Sequence, residues 1–416
     1  MTQTESPPPL PLILRALVPF AAAYVLSYTL RTVNAVVAPD LVADFHLTPA
    51  ELGVLTSAYL LSFALFQLPL GVLLDRYGAR RVQSLLILVA AAGIFAFAAA
   101  PGFATLVAAR AVIGLGFSAG LMASLKSSSE WVPPARRSLS NSMFLAAGGL
   151  GVVMATKPTA LMVAHWGWRG AFMVLGTLCV VAAGLIFTIV PNRPGEVKTA
   201  APFRAQVDQL IAILRLPLFW RIAPLTGLST GVSMAIITLW SGPWLRDVLG
   251  LPRDGVATHL FLMALAFVAG NLLVGLIADR LQRRGFGTMT IMLGFVLIYM
   301  AALALLTAQI KSLALPALMV MAGTGQSAFL AFPWFAAHVG PGLAGRSNAT
   351  INFVMFVVAF AAQALIGLII GWFPATATGY AAEGYSWAYG LFLALQTAGL
   401  LWYLAAPADM FKDHPS

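Results

Sequence analysis

Charge is what this sequence has least of. Asp, Glu, Lys and Arg make up 9% of its 416 residues, where an ordinary soluble domain carries about 25%. So little charge cannot coat a water-facing surface, which excludes a soluble globular fold. Cysteine is nearly missing too. Cys179 stands alone in an apolar run, so there is no disulfide framework and no cysteine metal site. The apolar runs hold no paired carboxylates and no His-Glu cluster, and nothing resembles an ATP-binding loop. A membrane-embedded enzyme and a nucleotide-driven pump both lose their basis. No cofactor and no metal ion is expected.

What the chain has instead is apolar length. Hydrophobic residues make up 60% of it and the mean hydropathy is +0.89. A helix needs about 20 mostly apolar residues to cross about 30 Å of hydrocarbon. Twelve runs meet that length, at roughly 16–38, 52–74, 82–100, 104–125, 139–164, 170–190, 220–242, 256–278, 289–308, 313–336, 348–373 and 386–406. Barrel strands alternate over about ten residues. These runs are longer and continuous, so the expected fold is all-α, an integral membrane protein of twelve transmembrane helices. The first run is too long for a signal-peptide core of about 7–15 residues and is read as a retained span. The net charge of +10 does not indicate nucleic acid, because the basic residues sit in short loops and form no continuous face.

Lys and Arg favour cytoplasmic loops. With the N-terminus inside, 17 basic residues fall on the inner side, 4 on the outer side and 3 within spans. That bias places both termini in the cytoplasm of a cell membrane, and the Ala-rich, Lys-poor composition points to a bacterial inner membrane. The chain divides into a six-helix bundle over 1–190, a cytoplasmic linker over 191–217 and a second bundle over 218–416. The halves repeat. Gly71-Val72-Leu73-Leu74-Asp75-Arg76 recurs as Gly275-Leu276-Ile277-Ala278-Asp279-Arg280, an offset of 204 residues, and Pro39 and Leu41 match Pro243 and Leu245 at the same offset. An even number of spans separates the copies, so the repeats are parallel.

The loop after the second run, with Gly71, Leu73, Asp75, Arg76, Gly78, Arg80 and Arg81, resembles the signature of the major facilitator superfamily. Arg110, Gly114, Gly116 and Gly120 resemble that family's fourth-helix signature. The resemblance implies two six-helix bundles around a central cavity, working by alternating access as a monomer. It also implies that Asp75 faces the start of helix 11 and Asp279 the start of helix 5. Ser347 is the expected cap of the first, and Ser138 or Ser140 of the second. Gly71, Asp75, Arg76, Gly78, Arg80, Glu130, Asp279 and Arg280 are then the expected conformational latch. The competing reading of these basic residues is plain topogenic charge.

Three basic residues fall inside spans: Arg31, Arg110 and Lys157. A charge near mid-bilayer costs about 2.5–3.5 kcal/mol on the insertion scale and marks a functional site by default. Counting back from the expected helix ends at about 1.5 Å per residue sets all three roughly 10 Å below the outer surface. No Asp or Glu falls inside an expected span. Cations without buried anions invite an anionic guest, and arginine suits carboxylates in particular. Tyr24, Tyr28, Arg31 and Asn34 share one helical face. Trp240, Gln326 and Asn352 are the expected neutral contacts from the second half, with Trp240 and Trp244 alternatively serving as interfacial belt aromatics. Arg110 has a structural alternative, bonding to carbonyls of neighbouring helices, and Lys157 has one in snorkelling outward.

The expected function is secondary transport of a small organic anion, coupled to protons or to exchange. Efflux of apolar compounds and a non-transporting solute sensor are the alternatives.

Overall fold

The computed structural model describes residues 9–191, 203–339, 344–376 and 379–411, and every regular element among them is helical. Eleven segments are long and apolar enough to cross a membrane, and Leu139–Met154 is a shorter apolar helix. That helix belongs to Pro134–Met154, and its course resumes at Lys157 and runs to a reversal at Gly167. Twelve crossings result, here called spans 1 to 12, in the order the hydropathy pattern gives.

Several spans are broken. Span 1 comprises Leu10–Thr32 and Asn34–Phe45. Spans 2 and 3 share the helical stretch Pro49–Ala98, which turns back at Gly78 with φ of 78°. Gly167, with φ of 66°, turns span 5 into span 6 in the same way. Only glycine takes this left-handed conformation without strain. Span 4 is Phe103–Phe117 with Gly120–Trp131. Span 7 runs from Pro217–Ala235 through a π-helical turn, Ile236–Trp240, to Ser241–Asp247. Span 8 is Arg253–Arg283 and span 9 is Thr288–Thr307. Span 10 is interrupted after Ala314–Thr324, close to Gly323 and Gly325, and continues through Ser327–Leu330 to Ala331–Val339. Spans 11 and 12 are Ala344–Ile370 and Ala382–Leu404. Span 2 starts on a capping box, in which the Glu51 carboxylate accepts from the Thr48 N–H at 2.9 Å.

Phe203–Leu214, within the stretch expected to link the halves, is a helix. Three expectations change. Ser347 and Ser140 are not caps. Helix 5 begins at Pro134 behind Pro133, and helix 11 begins at Ala344, so both serines lie inside their helices. Ser138 lies inside helix 5 as well. Trp240 and Trp244 are not belt aromatics, because both are fully buried. Span 7 also continues to Asp247, whose side chain is 0% exposed, so a buried carboxylate does exist.

The end of the bundle carrying Gly71–Arg81 is called the motif end. At the opposite end the halves are sealed by close backbone approach. A Cβ on Gly242 of span 7 would fall 2.0 Å from the Ala35 carbonyl oxygen of span 1. A Cβ on Gly367 of span 11 would fall 2.3 Å from the Pro49 carbonyl oxygen of span 2. Small residues at such crossings are how membrane helices gain contact, since lipid removes the hydrophobic drive between them. Large apolar side chains such as Leu150, Leu272, Leu276 and Leu401 stay exposed on the bundle surface, as a lipid-facing wall requires.

Candidate functional site

Arg31 sits in a box of rings. Its guanidinium carbon lies 4.5 Å from the centroid of Tyr28, 4.8 Å from Phe63, 5.2 Å from Phe356 and 5.9 Å from Tyr59. Tyr28 is one turn away on the same helix, and Tyr24 packs edge-on against it at 5.1 Å. Span 5 leaves room for these rings by carrying glycine, since a Cβ on Gly148 would press to 3.0 Å from the Tyr28 ring. Phe63 of span 2 and Phe356 of span 11 stack at 4.5 Å, so the wall of the box is drawn from both halves. Ring faces attract a cation by about 0.5–2 kcal/mol each but leave its charge in place. The Arg31 Nε has no hydrogen-bond partner, and the residue is 6% exposed.

Arg110 approaches from span 4. It is 0% exposed, and its guanidinium carbon lies 5.2 Å from the same Tyr59 ring. None of its three side-chain nitrogens finds an acceptor. The expected alternative, bonding to neighbouring carbonyls, is therefore absent here. Buried donors without acceptors are costly and uncommon. With guanidinium carbons 5.9 Å and 5.2 Å from one ring centroid, the two charges are at most about 11 Å apart and repel by about 1.5 kcal/mol or more at an effective dielectric of about 20.

Lys157 does not join them. Its ammonium lies 3.6 Å from Asp254 and 3.5 Å from the Thr258 hydroxyl, and its side chain is 43% exposed. The chain breaks at Ala155 and Thr156 just before it, and span 8 begins level with it. Lys157 is thus part of a polar strap across the halves at the opposite end. There Arg253 also grips Asp40 through two bonds of 2.7 Å and 3.0 Å. An apolar cleft lined by Ala35, Val36, Pro39, Gly242, Arg246 and Arg253 lies in the same region.

The described carboxylates lie elsewhere. Asp44 accepts from the Trp168 indole at 2.8 Å. Asp247 accepts from Arg246 at 2.6 Å and from the Tyr385 hydroxyl at 2.7 Å. Asp75 pairs with Lys126 at 2.8 Å, and Asp279 with Arg283 at 2.9 Å. Each of these last two partners lies in the same half as its carboxylate. Arg80 lies over the Phe187 ring at 5.0 Å and Arg76 over Tyr77 at 5.3 Å, while Arg280 is exposed. Glu130 is at the foot of span 4.

The neutral candidates separate. Asn34 donates to the Thr56 hydroxyl at 2.8 Å, inside the first half. Trp240 donates to the Gln363 carbonyl at 3.1 Å, and Gln363 donates to Thr238 at 3.2 Å, so these three bind span 7 to span 11. Gln326 and Asn352 are half-buried. Ser229, Thr230 and Ser233 of span 7 are buried with unpartnered hydroxyls. Tyr59, Phe63, Phe356 and Lys126 escaped the sequence reading. Tyr59 and Phe63 are one turn apart on span 2, and aromatic spacing alone looks like ordinary core.

Known proteins agree with this architecture. A solved bacterial homolog of the human lysosomal transporter Spinster, in an inward-facing and occupied conformation, superposes with a TM-score of 0.79 at 17% identity, covering 95% of this chain and 97% of that one. A probable sulfoacetate transporter of Cupriavidus necator is 25% identical over 283 residues, 63% of this chain and 64% of its own length. A hexuronate transporter of Escherichia coli is 28% identical over 165 residues, 39% of this chain and 38% of its own length. Less than two thirds of either transporter is spanned. The model of the major facilitator superfamily matches residues 20–363. A helical bundle of twelve crossings, with the paired Gly-x-x-x-Asp-Arg elements and a family match over most of its length, places this chain in the major facilitator superfamily.

Proposed function

We propose that this protein is a secondary transporter for a small organic anion, held between Arg31 and Arg110 beside the Tyr59 ring. The observation that carries the reading is two buried guanidinium groups that pair with no carboxylate among the described residues. An anionic guest supplies the missing acceptors and charge, and arginine meets a carboxylate or sulfonate through parallel N–H bonds. Tyr28, Phe63 and Phe356 form an apolar wall for the body of the guest. Ser229, Thr230, Ser233, Gln326 and Asn352 are assigned to its neutral polar groups. The sulfoacetate and hexuronate transporters that this chain resembles in part carry cargo of that chemistry.

The motif end is assigned to the cytoplasm from the bias of basic residues, 17 against 4. The sealed end then faces outward, and its ion pairs and glycine crossings form the outer closure. In the outward-open state Asp75 and Asp279 are assigned to helix starts in the other half, leaving Lys126 and Arg283. The test is uptake of labelled sulfoacetate and galacturonate by proteoliposomes that contain the full chain and are preloaded with the same anion unlabelled. Wild type is expected to accumulate at least one of them and Arg31→Gln neither. Equal uptake by both proteins removes Arg31 from the site.

A further inference from the structure

We infer that the transporter is an obligate exchanger, which returns only when a second anion is bound, and that its preferred guests carry two negative charges. This rests on the anion reading above. A carrier working by alternating access must bring its site back through an occluded state after releasing cargo. In symport, a protein group commonly balances that return by taking up or losing a proton. Here the site charge belongs to two guanidinium groups, which stay protonated in proteins. Among the described residues, the titratable groups facing Arg31 are the phenols of Tyr24, Tyr28 and Tyr59, and an ordinary phenol is neutral below a pH of about 10.

Among the described residues, six carboxylates on the spans are engaged elsewhere. Asp40 and Asp254 hold Arg253 and Lys157 across the halves, Asp247 holds Arg246 and Tyr385, and Asp44 holds Trp168. Asp75 and Asp279 lie at the motif end with Lys126 and Arg283. Among the described histidines, His259 bonds its own helix at the Gly255 carbonyl, His338 stacks on Trp334, and His46 and His165 are exposed. An empty site therefore carries two positive charges through the desolvated state, and a loaded one is neutralised. A guest with two negative charges cancels both arginines, and a monoanion leaves one uncompensated.

The experiment uses labelled sulfoacetate, a dianion, outside proteoliposomes of the full chain. One set is preloaded with unlabelled sulfoacetate. The other is empty, with an inward proton gradient. Preloading is expected to raise initial uptake roughly tenfold or more, and a protonophore is expected to change nothing. Labelled galacturonate, a monoanion, is expected to exchange more slowly. Proton-driven uptake into empty vesicles, lost with a protonophore, overturns exchange while the anion reading stands. No uptake of either compound into either set overturns the anion reading and this inference with it.

Discussion

Arg31 in the first half and Ala235 in the second occupy the same place in the internal repeat, 204 residues apart. The first half keeps two cations buried and unpaired at the centre. Among the described residues of the second half, the buried charge is Asp247, which is paired with Arg246 near an end. The contrast teaches that charge does two jobs in one repeated scaffold. Paired charge fastens helices, and unpaired charge is kept at a cost in stability for a guest that completes it.

The comparison breaks most visibly at Asp247. Asp247→Asn removes the charge opposite Arg246 and turns one of the two oxygens that accept from Arg246, Tyr380 and Tyr385 into a donor, so a loss of about 3 kcal/mol is expected, because the charge of one partner of a buried pair has gone. Thermal unfolding in detergent measures it, and the apparent affinity for anion should not move. Arg31→Gln should do the reverse. Binding is expected to fall roughly a hundredfold, with no loss of thermal stability. If Arg31→Gln instead unfolds as readily as Asp247→Asn, the two kinds of charge are not distinct. Gly242→Val puts a branched side chain against the Ala35 carbonyl and should cost about 1–3 kcal/mol by overpacking. Its other readout is accessibility of the outer cleft to an impermeant thiol reagent at an introduced cysteine, Val36→Cys, which should rise. Arg253→Ala removes an exposed pair with Asp40. A change below about 1 kcal/mol, shrinking further in high salt, is expected there.

Much of the fold was legible because lipid imposes it. A run of about 20 apolar residues has few alternatives, so the twelve crossings could be counted, and the Gly71 and Gly275 elements exposed the repeat. A polar face on an apolar helix must avoid lipid, and Tyr24 and Tyr28 of that face do lie beside Arg31, whereas Asn34 turns to Thr56. Lys157 was misplaced because depth was counted from a helix end. The helix continues to Gly167, yet span 8 starts level with Lys157, and a long flexible side chain reaches Asp254. Asp247 was missed because span 7 runs beyond its apolar core, the charge of its last turn being cancelled by Arg246. Tyr59, Phe63 and Phe356 carry no signal in a sequence with 26 phenylalanines. Only the convergence of spans 2 and 11 on Arg31 reveals them.

The most direct test of an anion site in the first half compares guests that differ only in charge. Thermal stabilisation of the purified full chain would be measured with sulfoacetate and galacturonate, each against a neutral analogue, methylsulfonylacetamide and galactose, in wild type and Arg31→Gln. The expected result is an upward shift in wild type with at least one of the anions, none with either neutral analogue and none in Arg31→Gln. Equal shifts from the neutral analogues, or an undiminished shift in Arg31→Gln, would contradict the account.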